Sequence, residues 1–191
     1  MLKPLLLASL LGGCYLSVGG GYTQNGGAAH SLHATMGVNV HFGTTASVRV
    51  GAGAATSVNA SSSAAQLTAG PLLLGGQRDI VGGSGNALAA AVDVQLPLGG
   101  WATADNMTTS VGTARGYLGL GYRHIWRETV QSEEGRKRGR LAGTFAFTVG
   151  PEVFYTTEAS ARSAFGVVGD LTFTVAAWPF GKLFRDLDEQ K

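Results

Sequence analysis

The chain is short of charge and has one cysteine. Of its 191 residues only 14% are Asp, Glu, Lys or Arg, against about 25% in an average soluble domain. The 14 basic and 12 acidic side chains leave a formal net charge of +2. A nucleic-acid binder would need a clear excess of Lys and Arg to meet phosphates, so that class is excluded. The 45% hydrophobic content is too high for wholesale disorder. Beyond Cys14 no run of 18 apolar residues occurs, so no transmembrane helix is available. What is plentiful is glycine: 30 residues, roughly 16% against about 7% on average. One mostly-β domain is expected.

The N-terminus is built differently from the rest. Lys3 precedes the apolar run Pro4 to Leu11, which ends in Gly12-Gly13-Cys14. A basic start, a short apolar stretch and then small residues have the layout of an export signal, and the stretch is too short to span a bilayer as a helix. The segment Leu11-Gly12-Gly13-Cys14 resembles the lipobox of bacterial lipoproteins. The resemblance implies cleavage before Cys14, attachment of a diacylglyceryl group to its sulfur, and acylation of the freed amine. Lipidation would also consume an exported thiol that has no partner in the chain. Tyr15, in place of an aspartate after the cysteine, points under the enterobacterial sorting scheme to the outer membrane. The expected organisation is a signal peptide at 1–13, a barrel domain at 14–178 and a tail at 179–191.

After Cys14 the recurring pattern has period two. Val38-Asn39-Val40-His41-Phe42, Val48-Arg49-Val50 and Val92-Asp93-Val94-Gln95-Leu96 each put apolar residues on one face and polar ones on the other. Leu118 to Arg123, Phe145 to Gly150 and Leu171 to Ala176 set large apolar residues opposite Gly, Ala, Thr or Arg. Successive strand side chains point to opposite faces, so this is the pattern of half-buried strands. Eight strands are expected, at 15–24, 29–42, 46–60, 66–74, 86–98, 114–126, 140–156 and 164–178. Pro71 interrupts the fourth. All of these runs exceed the usual five or six residues and reach the nine to eleven that an outer-membrane strand needs.

The polar face carries Arg49, Asp93, Arg123 and Glu152 among small residues. Inside a small eight-stranded barrel such charges must be paired, and two of each sign allow it. On a soluble sandwich or lipocalin-like barrel they would instead meet water. The expected fold is an all-β antiparallel barrel of about eight strands, with a soluble β-sandwich or lipocalin-like barrel as the alternative.

The stretch Gly116-Tyr117-Leu118-Gly119-Leu120-Gly121-Tyr122-Arg123 is similar to strands of the small outer-membrane β-barrel proteins of Gram-negative bacteria. That resemblance implies aromatic girdles at the two interfaces, for which Tyr117, Tyr122, Trp126, Phe154, Tyr155 and Trp178 are candidates. The chain differs from those barrels in its tail after the last strand, in its lipobox, and in connections that do not alternate cleanly between short and long.

Charge concentrates in the connection from Arg127 to Arg140. There Arg136, Lys137, Arg138 and Arg140 could meet lipopolysaccharide phosphates or an anionic envelope partner, or simply solvate a hairpin tip and block edge pairing. His30 and His33 are three apart, which in a strand sends them to opposite faces, and no metal site or cofactor is expected. Barrel enzymes that deacylate lipid A carry a His-x-Ser pair. Tyr122 to Trp126 is similar to their histidine region, but Trp126 stands where the serine is needed. The expectation is therefore an outer-membrane lipoprotein with a membrane as partner and no catalysis. A lipid-anchored periplasmic binding module is the alternative, and an envelope-lipid hydrolase a third reading.

Overall fold

Strands alone make up the described part of the computed structural model, which covers residues 12–24, 28–42, 45–59, 66–82, 85–97, 113–131, 137–156 and 163–176. They are β1 (Gly12–Gln24), β2 (Ala28–Phe42), β3 (Ala46–Asn59), β4 (Gln66–Ala69), β5 (Leu72–Gly82), β6 (Asn86–Leu96), β7 (Ala114–Gln131), β8 (Lys137–Tyr155) and β9 (Ala164–Ala176). All pairings are antiparallel. β1 bonds to both β2 and β9, and β2 to β3, which closes the sheet into a barrel. A single closed sheet sets the sandwich aside.

β4 and β5 share one position in the barrel. β4 lies against Ala55–Val58 of β3 and β5 against Ala46–Ala52, in continuous register. They are separated at Gly70-Pro71, where proline has no N–H for the ladder. The ladder is bridged there by Gly53 N–H donating to Pro71 O at 3.0 Å. Gly70 is required sterically, because a Cβ would collide with Pro97 Cα and Leu96 O of β6. The expected end of this strand at Leu74 is corrected: β5 continues to Gly82. Gly75 and Gly76 obscure the alternation in the sequence, yet Gly75 is where Asp93 packs, and a Cβ would strike its carboxylate.

Following paired residues once round the barrel runs from Ala46 through Arg78, Ala90, Leu120, Val149, Gly169, Gly20 and Leu32 to Thr56. The path returns to β3 ten residues further along. Such a stagger forces the strands to tilt by about 35–45°, and eight positions leave an interior wide enough only for side chains.

The two faces have opposite character. Large apolar residues point outward all round the barrel, among them Met36 at 64% exposure, Val175 at 64%, Leu118 at 56% and Leu120 at 55%. Arg, Asp, Glu, Ser, Thr, His and Gln point inward with glycine and alanine. Glycines sit beside the larger inward groups: a Cβ on Gly51 would meet Tyr15 Oη, on Gly19 the His33 ring, and on Gly119 the Tyr117 ring. Two of the expected girdle residues are corrected, since Tyr117 and Phe154 are buried and point inward. Tyr117 shares its parity with Gly119, Gly121 and Arg123, and Phe154 with Glu152. Tyr122, Trp126 and Tyr155 do point outward; Trp178 lies outside the described residues.

The end that holds the start of β1 and the finish of β9 has the connections 43–45, 83–85 and 132–136, of three to five residues, whereas the far end has the equally short 25–27 and the longer 60–65, 97–113 and 156–163. All connections longer than five residues fall at the far end, which leaves a short-turn end opposite it. At the short-turn end β7 and β8 outrun their neighbours. β6 pairs with β7 as far as His124 and β9 with β8 as far as Gly143, while the β7–β8 ladder continues to Gln131↔Lys137. A bulge between Trp126 and Arg127 marks where this hairpin leaves the wall.

Candidate functional site

Inside the barrel many of the polar side chains form one connected network. Arg49 Nη2 donates to both carboxylate oxygens of Asp93, at 2.7 and 2.8 Å, and its Nη1 to Thr172 Oγ1 at 2.7 Å. Thr172 Oγ1 donates to Asp170 Oδ1 at 3.0 Å, as Ser17 Oγ does at 2.6 Å. Asp170 Oδ2 faces His33 Nε2 at 3.1 Å, and His33 Nδ1 faces Arg115 Nη2 at 3.2 Å. A guanidinium can only donate, so Nδ1 accepts from Arg115 and Nε2 donates to Asp170. Arg115 Nε pairs with Glu152 Oε1, and Ser31 Oγ donates to Glu152 Oε2. Arg115 Nη1 also donates to Gln95 Oε1 at 3.3 Å.

This places the residues singled out by the sequence. Arg49, Asp93, Arg123 and Glu152 are each about 1% exposed and point inward, but they do not pair only among themselves. The ion pairs are Arg49–Asp93, Arg115–Glu152 and Arg123–Asp79. Arg115, Asp170, Asp79 and His33 are the additions. Three of them are accessible from parity: Arg115 is in step with Arg123, Asp170 with Thr172 and Thr174, and His33 with Thr35. Asp79 lies in the stretch whose alternation the two glycines hide. Among the described residues, three guanidiniums face four carboxylates. Asp170, the one without a guanidinium bonded to it, is held by Ser17, Thr172 and His33 instead. Every member of such a low-dielectric network needs its partner, because an unpaired buried charge is far costlier than a paired one.

Towards the short-turn end the lumen changes. Both ring nitrogens of His41, Asn39 Oδ1, Gln77 Nε2 and Asp79 Oδ1 are buried without a hydrogen-bond partner. His41, Ser47 and Gln77 are successive partners across β2, β3 and β5 and all point inward. Polar groups of this kind are suited to water or a small polar guest.

Ser17, Asp170 and His33 contain the residue types of a hydrolytic triad, but in the wrong order. A triad needs histidine between the serine and the acid so that the base can take the hydroxyl proton. Here Asp170 sits between them, and Ser17 donates to it directly. On the outer surface, His124 and Trp126 share the outward row of β7 with ring centroids 5.7 Å apart. His30 and His33 lie on opposite faces of β2. No cluster of three or more metal-ligating side chains occurs among the described residues.

Cys14 is exposed on the outward face of β1, opposite Val38 and Val175. The cationic segment lies on the projecting hairpin, where the backbone sets Lys137 opposite Gln131, Arg138 opposite Val130 and Arg140 opposite Glu128. Arg136, the segment 1–11 and the tail 179–191 lie outside the described residues. No protein-family model matches this chain, and no curated protein does.

Proposed function

We propose that this protein is an integral β-barrel of the bacterial outer membrane, also anchored through a lipidated Cys14, that serves envelope structure or interaction rather than catalysis. The observation that carries this reading is the reversed polarity of the wall. Leu, Val, Phe and Met stand exposed on the outside while Arg, Asp, Glu, Thr and Ser make up most of the inside, beside a small apolar cluster around Leu67 and Phe154. A soluble lipocalin-like barrel needs the opposite arrangement, and an exposed apolar surface that encircles a protein marks contact with lipid or a partner. On β2 the outward row from Leu32 to Phe42 covers about 33 Å at about 3.3 Å per residue, which a tilt of about 40° reduces to about 25 Å, the height of an outer-membrane apolar band. Tyr22, Tyr155 and Phe165 sit near its far edge, and Phe42, Tyr122 and Trp126 near the edge at the short-turn end.

Cys14 fits the same picture. Among the described residues, cleavage before Cys14 would remove only the pairings of Gly12 and Gly13. Acyl chains on Cys14 would then lie along the outer wall at the end with short connections, the periplasmic end in barrels of this type. The projecting hairpin stands at that end, so its Lys137, Arg138 and Arg140 would meet an anionic envelope partner on the anchored side rather than lipopolysaccharide. The non-catalytic assignment rests on the mismatched Ser17–Asp170–His33 order and the absence of a serine beside His124.

The decisive test replaces Cys14 with Ala and extracts membranes with carbonate or urea. Retention, with heat-modifiable gel mobility, is expected of an integral barrel. Release of the variant into the soluble fraction would overturn the integral reading in favour of a lipid-anchored periplasmic module.

A further inference from the structure

One polar cluster interrupts the apolar outer wall. At the short-turn end of β6 and β7, Asn86 Oδ1 accepts from Tyr122 Oη at 2.7 Å and is 2.6 Å from His124 Nδ1. An amide oxygen only accepts, so Nδ1 of His124 carries the proton in this contact. Both lone pairs of Asn86 Oδ1 are then used, which fixes the amide with its Nδ2 directed away from Tyr122 and His124. Trp126 meets the His124 ring edge-on. Among the described residues, Asn86 Nδ2, Trp126 Nε1 and His124 Nε2 have no hydrogen-bond partner. All four side chains lie at the surface, Asn86, Tyr122 and Trp126 exposed and His124 partly so.

The chemistry left open is specific. Asn86 Nδ2 and Trp126 Nε1 are donors, suited to phosphate oxygens. His124 Nε2, with Nδ1 protonated, offers a lone pair, suited to an ammonium N–H. The cluster holds neither a carboxylate nor a guanidinium, so it favours a zwitterion over a purely anionic group. Leu88, Leu120 and Phe147, exposed on the outer wall beside Tyr122, continue from the cluster toward the middle of the apolar band, where an acyl chain would lie.

We propose that Asn86, His124 and Trp126 seat the headgroup of one phospholipid bearing a primary ammonium, a phosphoethanolamine head, in the leaflet at the short-turn end. This rests on the membrane reading above and adds to it a ligand and a site. A choline head presents the same phosphate, but its quaternary nitrogen has no N–H to give to His124.

The test uses the full chain in detergent micelles, titrated with equal amounts of phosphatidylethanolamine and phosphatidylcholine of identical acyl chains and read by native mass spectrometry. The wild type is expected to retain phosphatidylethanolamine over phosphatidylcholine by about threefold or more, the factor one additional net hydrogen bond gives. His124→Phe, which keeps a ring but removes the acceptor, is expected to abolish the preference. Asn86→Leu is expected to lower retention of both lipids, and heat-modifiable mobility identifies which variants are folded. Equal retention of the two lipids by the wild type, or a preference that survives His124→Phe, overturns the proposal. Carbonate extraction of the Cys14→Ala variant separates the two levels, because acyl chains at Cys14 would hold the wild type on the membrane in either case. Release overturns the membrane reading itself, whereas firm retention with equal lipid binding overturns only the headgroup seat.

Discussion

Along β7, Arg115, Tyr117, Gly119 and Arg123 point inward while Leu118, Leu120, Tyr122 and Trp126 point outward. The same stretch of backbone therefore meets two different problems of solvation. On the inner row each charged group must find a specific partner at a specific distance, as Arg115 does in Glu152, Gln95 and His33. On the outer row Leu118 and Leu120 have no polar group that needs a partner, and only Tyr122 and Trp126 near the short-turn end meet polar neighbours. Inner residues are consequently constrained by identity and geometry, and most outer residues by polarity alone.

The strongest way to break the inner row is to remove half of an ion pair. Glu152→Leu leaves the Arg115 guanidinium buried without its carboxylate and is expected to cost about 3–5 kcal/mol, measured by urea unfolding of the barrel in lipid vesicles. Adding Arg115→Leu to that variant is expected to recover much of the loss. A double variant no more stable than the single one would show that the pair is not what holds the lumen.

On the outer row the informative change is the reverse one. Leu120→Arg, near the middle of the apolar band, is expected to cost about 2–4 kcal/mol in a bilayer. In a water-facing wall the same change would stay within about 0.5 kcal/mol, so the measurement also separates a membrane barrel from a soluble one.

Glycines sharpen the contrast further. Gly75→Val would push a side chain against Asp93 and is expected to cost about 1–3 kcal/mol through overpacking. At Gly85, where a Cβ would meet nothing within 4 Å, substitution by Ala is expected to leave the unfolding midpoint unchanged. A small effect is likewise expected at His41, whose ring nitrogens have no partner. His41→Phe breaks no hydrogen bond and should alter stability by less than about 1 kcal/mol; a larger loss would mean that a bound polar guest contributes at that site.

Much of the architecture is legible in the sequence. Alternation places Arg49, Asp93, Arg123 and Glu152 on one face, and these four are lumenal. Pro71 marks the break between β4 and β5, because a residue without an N–H interrupts a ladder wherever it falls. Less legible is the rest of β5, where adjacent glycines remove the side chains that reveal parity. Tyr117 and Phe154 mislead as girdle candidates for another reason. Aromatic character suggests an interface, but parity governs direction, and their parity is that of the lumen. The pairing partners are illegible altogether. Arg123 meets Asp79, 44 residues away in the chain, because β5 and β7 flank β6 and both side chains turn into the lumen.

By itself the sequence determined the class, the strand periods and the composition of each face, since side chains on a strand must alternate whatever surrounds it. It could not say which face is inside. A soluble barrel and a membrane barrel share the same alternation, and the direction of curvature is set by which rows fit when the sheet closes. Only the tertiary structure decided that. Closure through β1–β9 and β2–β3 puts the glycines beside bulky polar side chains whose charges pair across the lumen, and leaves the rows of Leu, Val and Phe on the outer wall.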